Sequence, residues 1–296
     1  MQDIHLFGAT TIIGEDLSHL IKENYHEFNL ISYSRSKKDF HQIDILNKSS
    51  INNLFISDNS TIINYSPIWD FSIFIRNIYL YEPEKLKGVK SIISTSSSSV
   101  ETKRYSLNRY DKDLVKKLLL SEKQVQEICI DMKINCTIIR PTLIYGSSVN
   151  YKDKNINQIL NIMSSLPFIL LPNHSGLRQP IHSSQLAKVT LKYMNTLQNS
   201  SSNIIEKVEV GGDMQISYEK MIAMIQSSLP TSHKAKYCKI VLINNKIFIT
   251  LALPLAWLSL KLFEALLRIS SDLAGFTPSH KILKSKPLKF PVQPFL

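Results

Sequence analysis

The chain of 296 residues is long enough for one large domain or two smaller ones. With 44% hydrophobic and 20% charged residues it has the balance of an ordinary globular protein. The net charge of +11 is not accompanied by zinc-ligand spacing, an RNP-like motif or a basic region with heptads, which argues against nucleic acid as a partner. Phosphate groups on a small molecule suit this charge better.

The cysteines indicate the compartment. Cys129, Cys136 and Cys238 form no Cys-x-x-Cys pair and have no histidines at metal-binding spacing, so no metal site is predicted. Reduced thiols favour a cytoplasmic protein. Met1 leads directly into a predicted strand, and no signal peptide is expected.

The stretch Asp3–Gly14, Asp-Ile-His-Leu-Phe-Gly-Ala-Thr-Thr-Ile-Ile-Gly, predicts a strand, a tight turn and a helix that begins at Ile12. This is the unit that binds a pyrophosphate in dinucleotide-binding folds, because the first amides of the helix and its dipole attract anions. The candidate cofactor-binding residues of the stretch are Gly8, Thr10, Thr11, Ile12 and Gly14.

The glycine pattern of this turn is incomplete. A Gly-x-x-Gly-x-x-Gly run would place glycine at position 11, where this chain has Thr11. A β-branched side chain there either pushes a cofactor away or offers its hydroxyl to a phosphate oxygen. The alternative is a Rossmann-type turn that has lost its ligand.

Further along the chain, short apolar runs predict strands that alternate with helices. The second strand, Leu30–Arg35, ends in the basic cluster Arg35-Ser36-Lys37-Lys38. Arg35 either pairs with the 2′-phosphate of NADP or is a solvated surface arginine. The third strand, His41–Ile45, carries Asp44, expected near the adenine, and the fourth, Ser60–Pro67, ends beside the cofactor and carries Ser66.

The centre of the chain continues the alternation of predicted strands and helices. A fifth strand, residues 88–95, runs into a serine-rich segment, residues 110–133 have a helical pattern, and the sixth strand begins at Cys136. A connecting helix over 51–56, a short strand over 177–182 and a helix over 185–197 complete the pattern. The predicted fold class is α/β, a Rossmann-type doubly wound parallel sheet with a smaller, mostly helical C-terminal lobe.

With these motifs placed, the chain resembles the extended and atypical short-chain dehydrogenase/reductases, in particular the NAD-dependent epimerase/dehydratase family. The resemblance rests on Gly-Ala-Thr-Thr-Ile-Ile-Gly at 8–14, the serine-rich end of the fifth strand, Arg-Pro-Thr-Leu-Ile-Tyr-Gly at 140–146 and Arg-Gln-Pro-Ile-His at 178–182. It implies NAD or NADP as cofactor, with Arg35 favouring NADP.

The resemblance also implies roles for individual residues. Ser97 would bind the sugar hydroxyl, the backbone at Pro141 and Thr142 would hold the nicotinamide end, and Arg178 would bind the diphosphate of a nucleotide sugar. His182 would have a structural role.

The family's catalytic Tyr-x-x-x-Lys pair is absent. Its positions fall on Leu114 and Leu118, neither of which can carry a proton. Tyr110 lies about one helical turn earlier and is the replacement acid/base candidate. The alternative is a helix without such a pair.

Two functions follow from the resemblance. The first is an NAD(P)-dependent epimerase, dehydratase or reductase acting on a nucleotide-linked or polyprenyl-linked sugar. The second is an NAD(P)-binding sensor, scaffold or assembly protein without turnover. The predicted domains are 1–213, which binds NAD(P), and 214–296, the substrate lobe, to which 149–177 also contributes. A homodimer is one assembly that the resemblance allows.

The C-terminal region is apolar and then basic. Residues 247–260 carry no charge and contain Pro254, a run shorter than the ~20 residues that a membrane span needs. Lys261, Glu264 and Arg268 recur on one face of the following helix, and Lys281, Lys284, Lys286 and Lys289 come after the last acidic residue. These features predict either peripheral contact with an anionic membrane or a buried helix with a solvated tail.

Overall fold

The computed structural model describes residues 2–37, 39–148, 150–200 and 203–293. Met1 and Lys38, which the sequence interpretation used, lie outside these ranges. The strands are β1 Gln2–Phe7, β2 Phe28–Ser34, β3 His41–Gln42, β4 Ser60–Asn64, β5 Val89–Thr95, β6 Asn135–Pro141, β7 Ile144–Tyr145, β8 Phe168–Pro172, β9 Leu177–Arg178, β10 Ile181–His182, β11 Ile205–Gly211, β12 Ile216–Ser217, β13 Lys239–Ile243 and β14 Thr277–Pro278.

The α-helices are α1 Ile12–Asn24, α2 Ile68–Tyr81, α3 Ser99–Thr102, α4 Arg109–Asp131, α5 Lys154–Ser165, α6 Ser183–Gln198, α7 Tyr218–Ser228, α8 Asn245–Leu258, α9 Leu260–Leu267 and α10 Ser279–Leu283. Short 3₁₀ helices cover Lys48–Asn53, Pro83–Leu86, Lys234–Tyr237 and Arg268–Ser270.

An eight-stranded sheet has the order β14-β11-β6-β5-β4-β1-β2-β3. The first strand lies between β2 and β4 and pairs with both in parallel. The strand order changes direction at β1, so the ends of β1, β2 and β4 open onto the crevice where doubly wound sheets bind ligands. The predicted α/β class with a parallel sheet is confirmed.

The described residues form two compact units. Unit 1 comprises Met1–Val100, Lys116–Pro141 and Ser183–Glu209, and unit 2 comprises Glu101–Val115, Thr142–His182 and Val210–Leu296. The predicted domains, 1–213 and 214–296, divide the chain by role, and that division stays a prediction.

Each unit has its own core. In unit 1, β4 is buried along its whole length, as expected of a central parallel strand covered on both faces, and α1 packs against α6. In unit 2, the ring of Tyr145 lies 5.1 Å from that of His182 and 5.0 Å from that of Phe290. The structural role expected for His182 agrees with this packing.

Some predicted elements have different bounds. The connecting helix over 51–56 is instead the 3₁₀ helix Lys48–Asn53, because Asn47 accepts a hydrogen bond from the Ser49 amide and starts it earlier. The strand over 177–182 is interrupted at Pro180, which has no N–H to donate, and is replaced by β9 and β10. Within the described residues, no helix is long and apolar enough to cross a bilayer.

Candidate functional site

The turn between β1 and α1 depends on two glycines. Gly8 has φ +81°, and a Cβ there would lie 2.6 Å from the Ser66 nitrogen. A Cβ on Gly14 would lie 2.4 Å from the Gly8 carbonyl oxygen. Both positions therefore need glycine, the first for its conformation and for the approach of the β4 loop, the second for helix–strand packing.

Thr11 is the N-cap of α1 and has extended backbone angles, φ −113° and ψ 160°, so the position does not require glycine. Its hydroxyl donates to the Gly8 carbonyl at 2.8 Å and accepts from the Gly14 amide at 3.1 Å. Since a hydroxyl has only one proton, Thr11 can donate to a phosphate oxygen only by breaking its bond to Gly8. The amides of Ile12 and Ile13 are the ones that an anion would approach at this helix start.

A cavity of about 210 Å³ opens beside this turn, within unit 1. Its volume is below the ~300–1,000 Å³ of typical ligand pockets, so it suits part of a dinucleotide rather than the whole molecule. Five predicted residues line it: Gly8, Thr10, Thr11, Arg35 and Ser66. The other lining residues are Phe7, Tyr33, Ser34, Ile43, Ile45, Leu46, Tyr65, Pro67 and Asp70.

Asp44 is not among the lining residues, although Ile43 and Ile45 on either side of it are. Its carboxylate accepts a hydrogen bond from the Leu46 amide at 3.0 Å and so turns the chain after β3. This turn ends the strand at Gln42, earlier than predicted. The adenine-proximal role of Asp44 stays a prediction.

The wall of the cavity is aromatic. The Tyr33 and Phe7 rings stack with 4.7 Å between centroids, and the Tyr33 hydroxyl shares a 2.8 Å hydrogen bond with Nδ1 of the fully buried His5. Burial lowers the pKa of His5 to about 4, so the imidazole is neutral near pH 7. A stacked, apolar wall of this kind suits a nucleoside base.

Ser66 is fixed by Asn64 at the end of β4. The Asn64 side-chain oxygen accepts from the Ser66 amide at 3.1 Å, and its amide nitrogen donates to the Ser94 hydroxyl at 2.9 Å. The loop that meets Gly8 is therefore held by the neighbouring strand. Sequence reasoning identified Ser66 but missed Asn64.

Leucines occupy the positions where the resemblance would place tyrosine and lysine. Leu118 lies in α4 and is 2% exposed. One turn further along the helix, Glu122 is fully buried and forms a two-point pair with Arg140, with atom separations of 3.0 and 2.6 Å. The Ser96 hydroxyl donates to the same carboxylate at 2.5 Å. Sequence reasoning did not find this pair.

The other candidates of unit 1 lie at the ends of β5 and β6. The Ser97 hydroxyl donates to the Ser99 hydroxyl at 3.0 Å and accepts from the Ser99 amide at 3.1 Å, which makes it a local turn cap. The Pro141 carbonyl accepts from the Ser98 amide at 3.0 Å. The assigned roles of Ser97 and Pro141 stay predictions.

Unit 2 holds the remaining candidates. Tyr110 is 70% exposed, and Nζ of Lys261 lies 5.1 Å from its ring centroid. The Thr142 hydroxyl donates to the Gln179 carbonyl at 2.5 Å. Their roles also stay predictions.

Arg178 in unit 2 is buried and bonded to main-chain oxygens. Its guanidinium donates to the carbonyls of Leu177, Ser271 and Arg268 at 2.8, 2.8 and 2.5 Å. Burial lowers its pKa to about 10. These bonds hold residues 268–271 against β9, and a diphosphate would share the guanidinium with them.

No group of three or more histidine, cysteine, aspartate or glutamate side chains within the described ranges is placed to hold a metal ion. The cysteines are all buried and free.

Comparison with known proteins finds the same fold in solved structures. UDP-glucose 4-epimerase from Bifidobacterium longum in complex with NAD⁺ and UDP aligns with a TM-score of 0.65 at 13% identity, covering 99% of this chain and 95% of that one. dTDP-glucose 4,6-dehydratase from Bacillus anthracis in complex with NAD gives 0.63 at 11% identity, with coverages of 99% and 94%. RMD from Pseudomonas aeruginosa complexed with NADPH aligns with a TM-score of 0.62 at 11% identity, covering 99% of this chain and 96% of that one.

At the level of sequence, no protein-family model matches the chain. A curated relative, NADH dehydrogenase [ubiquinone] 1 alpha subcomplex subunit 9, mitochondrial, from Dictyostelium discoideum, is 30% identical over 106 residues. The match covers 36% of this chain and spans about a quarter, 26%, of the relative. The resemblance that the motifs indicated is thus confirmed as a fold: the chain has the Rossmann-type fold of the NAD-dependent epimerases and dehydratases.

Proposed function

We propose that this protein binds a nicotinamide dinucleotide through its adenosine end, in the cavity of unit 1, and that it does so as a structural or assembly component without turnover. The observation that carries the proposal is the cavity itself, which joins the glycine turn, the start of α1 and the ends of β2 and β4. The amides of Ile12 and Ile13 would hold the pyrophosphate. A bound nicotinamide would supply a hydride donor or acceptor.

Arg35 supports a preference for NADP. It lines the cavity and is exposed at the end of β2, where a 2′-phosphate would accept its hydrogen bonds. Asp70 lines the same cavity from the first turn of α2. Its carboxylate would accept hydrogen bonds from neutral hydroxyl or amino groups of the nucleotide.

The absence of turnover rests on α4. Hydride transfer to or from a sugar carbon needs a partner that exchanges a proton with the hydroxyl, and such help contributes ~10²–10⁴-fold to the rate. Leu114 and Leu118 cannot supply it, and Leu118 is packed in the core of unit 1. A protein that only binds the dinucleotide does not need such a proton-exchanging group.

The curated relative also supports a role as an assembly component. Its name identifies it as a subunit of NADH dehydrogenase, that is, as one component of a larger assembly. By this analogy the present chain would be stabilised by its nucleotide and would contribute to a larger complex.

A second candidate is an epimerase or dehydratase of a nucleotide-linked or lipid-linked sugar. It is favoured by the solved structures with this fold, which include enzymes of nucleotide sugars. In this case Tyr110 would be the acid/base, Ser97 would bind the sugar hydroxyl and Arg178 would bind the diphosphate.

A titration of the purified chain with NADPH and NADH, followed by coenzyme fluorescence and calorimetry, tests the binding proposal. Arg35→Glu should weaken the binding of NADPH about 10-fold and leave the affinity for NADH nearly unchanged, because it reverses the charge at the predicted 2′-phosphate position. Arg76→Glu, on the exposed face of α2, is the matched control. No heat and no fluorescence change with either coenzyme at about 1 mM would refute the proposal.

Turnover is tested separately with a panel of nucleotide sugars, followed by coenzyme absorbance and product chromatography. The proposal expects binding without conversion. Conversion that falls at least ~100-fold in Tyr110→Phe would instead establish the second candidate, with Tyr110 as its acid/base.

A further inference from the structure

The helix pair α8–α9 of unit 2 exposes an unusually apolar surface. Trp257 is 93% exposed and Leu258 is 81% exposed. The other large apolar side chains that α8 and α9 expose are Ile247, Ile249, Leu251, Leu253, Leu260 and Leu262. We call this set the α8–α9 face. Contiguous apolar exposure on this scale marks an interaction surface rather than ordinary solvent-facing helix.

The charged residues of this region are turned into the protein. The Glu264 carboxylate accepts hydrogen bonds from the amides of Leu107 and Asn108 at 2.7 and 2.8 Å. Arg268 pairs with Asp111 at 3.0 Å and lies 3.6 Å from Glu264. Glu264 and Arg268 therefore face unit 2, whereas Leu262 faces outward. These tertiary hydrogen bonds determine the orientation of α9.

The charges that remain exposed on α8 and α9 are all positive. Lys246 and Lys261 are exposed, and the acidic residue of these helices, Glu264, is buried. The surface thus combines tryptophan and leucine with lysine and exposes no carboxylate. Lysine is depleted in protein–protein interfaces, but it is favoured beside apolar residues where a helix rests on anionic lipid.

We propose that the α8–α9 face binds the surface of an anionic membrane, with Trp257 at the level of the lipid headgroups. Tryptophan prefers this position because its ring is apolar and its N–H is polar. The helices lie in the plane of the interface, since α8 has 14 residues and α9 has 8, too few for a span. The proposal is independent of the proposed nucleotide-binding cavity, which lies in unit 1.

The test uses the full chain and flotation with two kinds of vesicle, neutral phosphatidylcholine and a mixture containing about one third phosphatidylglycerol. The wild type should float with the anionic vesicles at low salt and much less with the neutral ones. Lys246→Gln with Lys261→Gln should lower the partition coefficient about 30-fold. Equal binding to both vesicles, or none to either at low salt, would overturn the proposal.

Two exposed substitutions test the apolar contact. Trp257→Glu with Leu258→Glu should reduce binding about 100-fold or more. Phe55→Glu is the matched control, because Phe55 is an exposed aromatic residue, 78% accessible, in unit 1. Thermal melts should show that each variant remains folded. Unchanged binding by the Trp257/Leu258 variant would contradict the inference.

Fluorescence reports the contact directly. The chain has two tryptophans, so Trp69→Phe leaves Trp257 as the only one. Its emission should shift to shorter wavelength on anionic vesicles and be quenched by brominated lipid. If the shift instead appears without lipid and grows with protein concentration, and light scattering shows a dimer, the face binds a second copy and the membrane proposal is refuted.

Discussion

His5 links the stability of unit 1 to pH. It is fully buried in β1, and its pKa is lowered by burial from 6.5 to about 4. In the unfolded chain its pKa returns to ~6.5. Between these two values the unfolded state binds more protons than the folded state, so stability falls as the pH is lowered from about 6.5 towards 4.

The size of this effect follows from the shift. One pKa unit corresponds to ~1.4 kcal/mol, so lowering the pH from about 7.5 to about 5 should remove ~2 kcal/mol of unfolding free energy through His5. His5→Phe cannot titrate and keeps a ring against Tyr33. It leaves the Tyr33 hydroxyl without its partner, which costs ~1–3 kcal/mol at every pH. The variant should therefore be less stable than the wild type at neutral pH, but it should lose less unfolding free energy than the wild type on acidification.

Urea unfolding of wild type and His5→Phe at both pH values measures the difference. Other titrating groups are common to the two proteins and cancel. His26→Gln, at an exposed position of unit 1, is the control and should follow the wild type. If His5→Phe loses as much stability on acidification as the wild type does, the reasoning from burial is incorrect.

Two further predictions concern unit 1. Glu122→Gln should lower the free energy of unfolding in urea by ~3–5 kcal/mol, because Arg140 would be left buried without its main partner. Glu209→Gln removes the partly exposed partner 3.2 Å from Arg140 and should lower it by at most ~1 kcal/mol. Equal losses of stability in the two variants would contradict the assignment of Glu122 as the main partner. Gly14→Ala should cost ~1–3 kcal/mol, because the new Cβ would lie 2.4 Å from the Gly8 oxygen; an unchanged thermal midpoint would mean that the turn can move.

Local chemistry was enough to predict the candidate binding turn. Gly8 and Gly14 lie on either side of the first residues of α1. The sequence pattern that predicts this turn is contained within a few consecutive residues. The assignment of Leu114 and Leu118 to the family's catalytic positions came from the spacing to Arg140 that the resemblance implies. What Thr11 does with its hydroxyl was not predictable, because a cap bond and a phosphate bond place the same residue type at the same position.

Contacts between distant segments were not accessible from sequence. The hydrogen bond between His5 and Tyr33 depends on two strands lying side by side, and the Glu122–Arg140 pair on a helix meeting a strand. The orientation of α9 could not be predicted for the same reason. Its periodicity gave two faces, but the amides that bind Glu264 belong to a segment more than 150 residues earlier in the chain.

Thr11, at the start of α1, stabilises its own turn through hydrogen bonds to Gly8 and Gly14. An N-cap hydroxyl contributes ~1 kcal/mol to its helix whether or not a ligand is present, and being uncharged it does so regardless of acidity. If the chain binds a dinucleotide as proposed, the empty and loaded proteins should share one conformation of this turn, and the coenzyme would add stability without being needed to form it.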